Sequence, residues 1–327
     1  MERLSAIIER FENLSRNYSS DDVVEKFRRT GKENTLFVFM EGVIERLRQL
    51  NHSGTAKNYS AALGSFKRFR NNEDIQMEAI DHILMEDYQA YLASLGVVPN
   101  SISFYMRILR AVYNRAVEQE LTIDRNPFRT VFTGVEKTRK RAISISDIKR
   151  IRDLDLSLKP NLEFARNLFL FLFLCRGMSF IDAAFLKKSD IQSGILTYRR
   201  HKTNQVLHIK IIKPIKELVD RYSSNDSPYL LPIITRPHCD ERRQYETALR
   251  RVNKSLKTIA GMVKLPIPLT TYVSRHAWAT IAKSKNIPVN VISDALGHDS
   301  IATTQIYLAS IDTSTIDRAN ELIIKDL

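Results

Sequence analysis

Apolar residues recur at helical spacing along almost the whole chain, and one segment breaks that rhythm. Leu36, Phe37, Met40, Val43, Ile44 and Leu47 set the period early. Further helices are expected over about 55–69, 83–95 and 101–118. Gly96 and the Pro99-Asn100 pair mark the turn between the last two. The interruption lies at 194–211, where two β-prone runs, Ile195 to Arg200 and Val206 to Ile211, flank the polar stretch His201 to Gln205. Such a pattern predicts a hairpin. A mainly α fold with one small β-hairpin or sheet follows.

A second break divides the helical pattern. Asn126-Pro127 ends the first bundle, Gly134 follows, and Lys137, Arg139, Lys140 and Arg141 make a basic run. Ser144 and Asp147 then have the spacing of a capping box, which starts a helix. The expected divisions are an N-terminal helical segment at 1–31, a helical bundle at 32–125, a basic linker at 126–143 and a mostly helical domain at 144–327.

Charge narrows the partners. The chain of 327 residues carries a formal net charge of +13. An excess of that size points to a polyanion, with nucleic acid first and an anionic membrane surface second. Cys175 and Cys239 are the two cysteines, too few for a disulfide framework or a four-cysteine zinc site. The opening stretch, MERLSAIIERFENL, is amphipathic and lacks the unbroken apolar core of a signal peptide. The run Leu168 to Cys175 is too short to span a bilayer. The expectation is a cytoplasmic protein, nucleoid-associated when on DNA, with no metal, no cofactor and no membrane partner.

Near the C-terminus stands Leu296-Gly297-His298, followed by Thr303-Thr304 and, nine positions after the histidine, Tyr307. Upstream is Thr270-Thr271-Tyr272-Val273-Ser274-Arg275-His276. Together these segments resemble the tyrosine recombinase, or phage integrase, family. The style is closest to integrases of Bacteroides-type mobile elements, which carry segments like Arg176 to Phe180 and Tyr272 to Thr280. The resemblance covers 144–307 and extends loosely over the upstream bundle, which looks like the family's core-binding, SAM-like domain.

The resemblance implies a site-specific recombinase that cleaves and rejoins double-stranded DNA through a 3′-phosphotyrosine. It implies a homotetramer on paired recombination sites. Tyr307 matches the nucleophile, Arg275 the second phosphate-binding arginine, His298 the histidine that assists at the phosphate or the tyrosine proton, and Lys202 the general acid. These residue types suit the chemistry. Attack on a phosphodiester builds negative charge, which guanidinium groups neutralise with planar paired donors. The nucleophile must lose a proton and the departing sugar oxygen must gain one.

Two positions depart from the family pattern. Ser179 stands where the first catalytic arginine belongs, and Arg176, three residues earlier, is read as that arginine displaced by one helical turn. Tyr272 stands where the family has histidine, and His276 is expected to face the core. The departures leave a second expectation, a DNA-binding relative with impaired catalysis. A type IB topoisomerase shares the nucleophile, but the motif spacing argues against it. Further DNA contacts are expected from Lys67, Arg68, Arg107, Arg110, Lys137, Arg139, Lys140, Arg141, Arg199 and Arg200. The tail, with Ile311, Ile316, Ala319, Leu322 and Ile323, has the spacing of an amphipathic helix.

Overall fold

The computed structural model describes residues 34–136, 142–222 and 227–301, together with Ser5, Ile8, Glu9, Glu12, residues 18–23, Thr304, Gln305 and Ile324. Most of the expected N-terminal helix, the basic run Lys137 to Arg141, Tyr307 and most of the tail lie outside the described residues. The chain divides into two compact units, Met1–Thr138 and Arg139–Leu327.

The first unit is a four-helix arrangement: α1 (Leu36–Gln49), α2 (Ser53–Phe69), α3 (His82–Ser94) and α4 (Pro99–Glu118). Asp81 caps α3 by accepting the Leu84 N–H at 2.9 Å. Asp74 reaches across to the start of α1, where its carboxylate accepts the Phe37 N–H at 2.9 Å. Pro99 does not sit in a turn as expected. It opens α4 from the first helical turn, where its missing N–H has no helical partner to lose. The core gathers Met40, Ile44, Phe66, Met85, Tyr88, Met106 and Val112. Phe66 is its hub, with the Tyr88 ring 4.9 Å away edge-on and the Phe69 ring at 5.6 Å. The Tyr88 hydroxyl donates to Ser65 at 2.8 Å, so the buried phenol keeps a partner.

The second unit opens with α5 (Ile145–Arg152), whose Ser144–Asp147 capping box is formed in both directions. Then come α6 (Pro160–Leu174), the short α7 (Phe180–Ala184), β1 (Ile191–Gln192), β2 (Ile195–Arg199), β3 (Val206–Lys210), α8 (Lys213–Tyr222), α9 (Glu241–Met262), α10 (Thr271–Ser284) and α11 (Val289–Leu296). The apolar run Leu168 to Cys175 becomes the central post: α6 packs against α5, α8, α9 and α10. Its residues Ala165, Leu168, Phe169, Phe171 and Leu172 are all buried. The hairpin is present and gains β1, giving an antiparallel sheet in the order β1-β2-β3. Leu196 and Tyr198 of β2 and Ile209 of β3 face inward. A small separate cluster of Ala279, Ala282, Ile292 and Leu296, with Trp278 and Val289 beside it, ties α10 to α11. Among the described residues no helix is long and apolar enough to cross a membrane.

Phe66→Ala should cost about 3–5 kcal/mol, the usual range for emptying a buried aromatic site. Urea denaturation followed by far-UV circular dichroism should show an earlier, separate loss of helix from the first unit. A single unshifted transition would contradict this placement of its core.

Candidate active site

The C-terminus of α11 is the point on which the second unit's functional residues converge. Gly297 ends the helix with φ 61° and ψ 48°, the left-handed cap that glycine adopts most readily. The Gly297 N–H donates to Asp294 at 2.9 Å and the His298 N–H to Ser293 at 3.1 Å. The next carbonyls have no helical partner and point toward side chains from elsewhere. Leu296 O accepts from Arg275 Nη2 at 2.6 Å and from Arg200 Nη1 at 2.9 Å. Gly297 O accepts from Arg200 Nη1 and, at 3.2 Å, from the Thr203 hydroxyl. His298 O accepts from Gln205 Nε2 at 3.4 Å. A Cβ at 297 would lie 2.6 Å from Arg200 Cδ, so glycine is needed for room as well as for its backbone angle.

Arg275 lies on the inner face of α10, only 4% exposed. Its Nη1 donates to Gly177 O at 2.8 Å. Gly177 has φ 69°, and a Cβ there would lie 2.8 Å from Arg275 Cα. The turn after α6 therefore rests directly on α10. That contact overturns the expected place of Arg176. The helix stops at Leu174, and Arg176 has φ 59° in the turn, so no helical stagger carries it toward Ser179's position. Arg176 is half-buried and makes no side-chain hydrogen bond or ion pair among the described residues.

Ser179 is also committed elsewhere. It caps α7, accepting the Asp182 N–H at 3.3 Å and donating to Asp182 Oδ2 at 2.6 Å. Its hydroxyl is thereby engaged at both its donor and its acceptor. Asp182 is buried and also accepts from the His201 N–H at 2.9 Å and lies 3.2 Å from His201 Nδ1. Burial pushes this carboxyl up, but the His201 and Ser179 hydrogen bonds and the Arg200 charge outweigh it, leaving the group below its ordinary value.

Arg200 and its neighbour Arg199, both expected as DNA contacts, stand in different surroundings. Arg199 is exposed, and its Nη1 donates to Asn204 O at 2.8 Å. Arg200 is 5% exposed, its guanidinium wedged between Asp182, 3.7 Å from Nε, and the α11 carbonyls. Its Nε is buried with no hydrogen-bond partner. Leu196 and Tyr198 alternate along β2, and Arg200, one residue past its end, continues the inward face. Lys202 lies in the exposed turn beyond it, as expected from the hairpin.

His298 completes the cluster. Its Nδ1 lies 2.7 Å from the Thr304 hydroxyl. Desolvation, with the charges of Arg275, Arg200 and Lys202, holds its pKa down to about 4, against a smaller opposing pull from Asp299. The imidazole is neutral near pH 7 and stands among three cations, an arrangement that suits an anion. Tyr272 is exposed, with His276 one turn on and its ring 4.7 Å away. His276 is half-buried beside Tyr272 instead of facing the core, because Arg275 takes the inward direction of α10.

In the first unit, Lys67 lies 2.5 Å from Glu41, and Arg68, Arg107 and Arg110 are exposed. Arg107 leans on Ser103 O at 3.4 Å and Arg110 on the Thr133 hydroxyl at 3.4 Å.

Residues 35–136 match the phage integrase SAM-like domain, and residues 146–313 match the phage integrase family. The tyrosine recombinase XerA of Pyrococcus furiosus is 27% identical over 244 residues, covering 72% of this chain and 79% of that protein. Among solved structures, a lambda integrase dimer bound to a COC′ core site superposes with a TM-score of 0.64 at 18% identity, covering 93% of this chain and 85% of that one. A lambda integrase tetramer bound to a Holliday junction gives a TM-score of 0.63 at 18% identity, covering 90% and 85%. The structural likeness shows a shared fold.

An NMR titration of His298 in the free protein should give a midpoint of about 4, below its ordinary 6.5. Lys202→Met should raise that midpoint, because removing a nearby cation favours the protonated ring. With the folded value depressed, the unfolded chain binds the proton first as pH falls below 6.5, so this residue weakens the fold progressively down to about pH 4. An ordinary midpoint, unmoved by Lys202→Met, would contradict the cluster.

Proposed function

The chain belongs to the phage integrase family, and on that premise we propose that it is a site-specific DNA recombinase acting through a covalent phosphotyrosine at Tyr307. The observation that carries the reading is the convergence of Arg275, Arg200, Lys202 and His298 around the turn that leads to Tyr307. An anionic scissile phosphate suits that gathering of cations. Two buried guanidinium groups held by backbone carbonyls are preorganised, so they need little rearrangement as charge builds on the phosphate.

In strand cleavage the Tyr307 phenolic oxygen attacks phosphorus and the bond to the 5′ oxygen breaks. The departing 5′ oxygen takes a proton from the Lys202 ammonium. The phenolic proton passes to the neutral imidazole of His298, whose other nitrogen is held by Thr304. A bound phosphate offsets the charge of the surrounding cations and makes that imidazole more basic than in the free protein. The reverse steps rejoin the strand with a new 5′ hydroxyl. Bond energy is kept in the phosphotyrosine, so the scheme calls for no ATP.

The first arginine role passes from Arg176 to Arg200 in this reading. Ser179 leaves a charge missing beside Arg275, and Arg200 enters the same neighbourhood from the hairpin. The double-stranded DNA partner agrees with the charge of +13. Arg68, Arg107, Arg110, Arg199 and the run Lys137 to Arg141 are offered as phosphate contacts. A homotetramer on paired sites, integrating, excising or inverting a mobile element at the nucleoid, completes the proposal. The tail after Tyr307 would dock on a neighbouring copy.

The test is a nicked suicide substrate built from the DNA flanking the gene. The wild-type chain should form a covalent adduct whose mass maps to Tyr307. Tyr307→Phe should form none and still bind the site. Arg200→Lys should slow adduct formation by about 10²–10³-fold, the loss typical of one transition-state charge contact, because an ammonium lacks the guanidinium's planar fork. Arg176→Ala should slow it far less. Site binding by the wild type without any adduct would favour the non-catalytic relative instead.

A further inference from the structure

The exposed turn that carries Lys202 is fastened on both sides, and neither fastening is explained by the hairpin alone. Within the turn, the Arg200 N–H donates to Gln205 O at 2.8 Å and the Asn204 N–H to Arg200 O at 2.9 Å, with Asn204 at φ 59°. Those bonds close the loop but do not orient it against the rest of the unit. Orientation comes from outside. Just before Lys202, the His201 N–H is held by Asp182 at 2.9 Å. Just after it, the Thr203 hydroxyl is held by Gly297 O at 3.2 Å, and Gln205 Nε2 reaches His298 O at 3.4 Å. Lys202 itself is solvent-exposed, so nothing in its own packing sets where its ammonium stands.

We infer that Thr203 and Gln205 are positioning residues that lock the general-acid turn to the Gly297-His298 backbone, so that Lys202 and His298 are held at one spacing. This rests on the recombinase reading above. Two uncharged side chains from one strand-to-strand turn bond consecutive carbonyls of another turn. Both turns are functional: one carries the acid for the departing 5′ oxygen, the other the histidine for the attacking phenol. The clasp thus ties the groups on opposite sides of the phosphorus to one another. A displacement of about 1 Å at such a group can cost about 100-fold in rate.

A change of leaving group separates this role from a general structural one. The suicide substrate is made with a sulfur in place of the bridging 5′ oxygen. A thiolate leaves without being protonated, since thiols ionise near pH 8.5, so that substrate does not need Lys202. Adduct formation is timed on both substrates. Thr203→Val should be about 10–100-fold slower than wild type on the oxygen substrate and within about 3-fold of it on the sulfur one. Lys202→Ala should show the same rescue, and Gln205→Leu a weaker version. Thr203→Ser, which keeps the hydroxyl, should behave as wild type on both. Equal slowing of Thr203→Val on both substrates would overturn the inference, because the defect would then lie in the phosphate clamp or the fold. No slowing on either would overturn it too. Failure of the wild-type chain on both substrates would instead remove the recombinase reading, and this inference with it.

Discussion

A single backbone carbonyl, Leu296 O, accepts from two buried guanidinium groups, and the functional end of the second unit is organised around it. The helix C-terminus offers the negative end of its dipole and carbonyls with no helical partner. Arg275 arrives from α10 at 2.6 Å and Arg200 from the hairpin at 2.9 Å. Each arginine brings its own scaffold. Arg275 brings the turn after α6, through Gly177, and Arg200 brings Asp182 and α7. Three glycine and near-glycine requirements follow from that crowding: Gly297 beneath Arg200, Gly177 against Arg275, and the left-handed Arg176 that lets the chain reach Gly177.

Burying two like charges side by side is costly unless something compensates them. Carbonyl oxygens and one carboxylate, Asp182, do part of this in the free protein. Desolvation first, and then the charges of Arg275, Arg200 and Lys202, lower the pKa of His298, and Arg200 Nε faces Asp182 at 3.7 Å without a hydrogen bond. On the proposed reading a phosphodiester sits against these cations and adds negative charge, while in the free protein the histidine is held neutral near pH 7.

The local patterns that carry this site were readable wherever the determining force was local. The Ser144 capping box, the hairpin around Lys202 and the helical spacing of the first bundle all follow from short-range rules, and the structure has each of them. Arg275 was found through its motif. What failed depended on contacts distant in sequence. The apolar run before Arg176 suggests a helix that continues, but the close approach of Gly177 to Arg275 ends it at Leu174. His276 is expected inside because it stands about 100° around the helix from Arg275, but Arg275 takes the inward direction itself. The surroundings of Arg200 are a different case. Its inward direction continues the alternation of β2 by one residue, but the groups it meets there are set by distant partners. Those partners, Asp182 and the carbonyls of residues 296 and 297, are 18 and nearly 100 positions away in sequence.

The most direct test of the account is a structure of the chain on its flanking DNA with vanadate bridging Tyr307 and the cleaved 5′ hydroxyl. The two-arginine clamp predicts that vanadate oxygens are contacted by the guanidinium groups of both Arg275 and Arg200, with Lys202 on the 5′ oxygen. A vanadate held by Arg275 and Arg176, with no contact from Arg200, would contradict it.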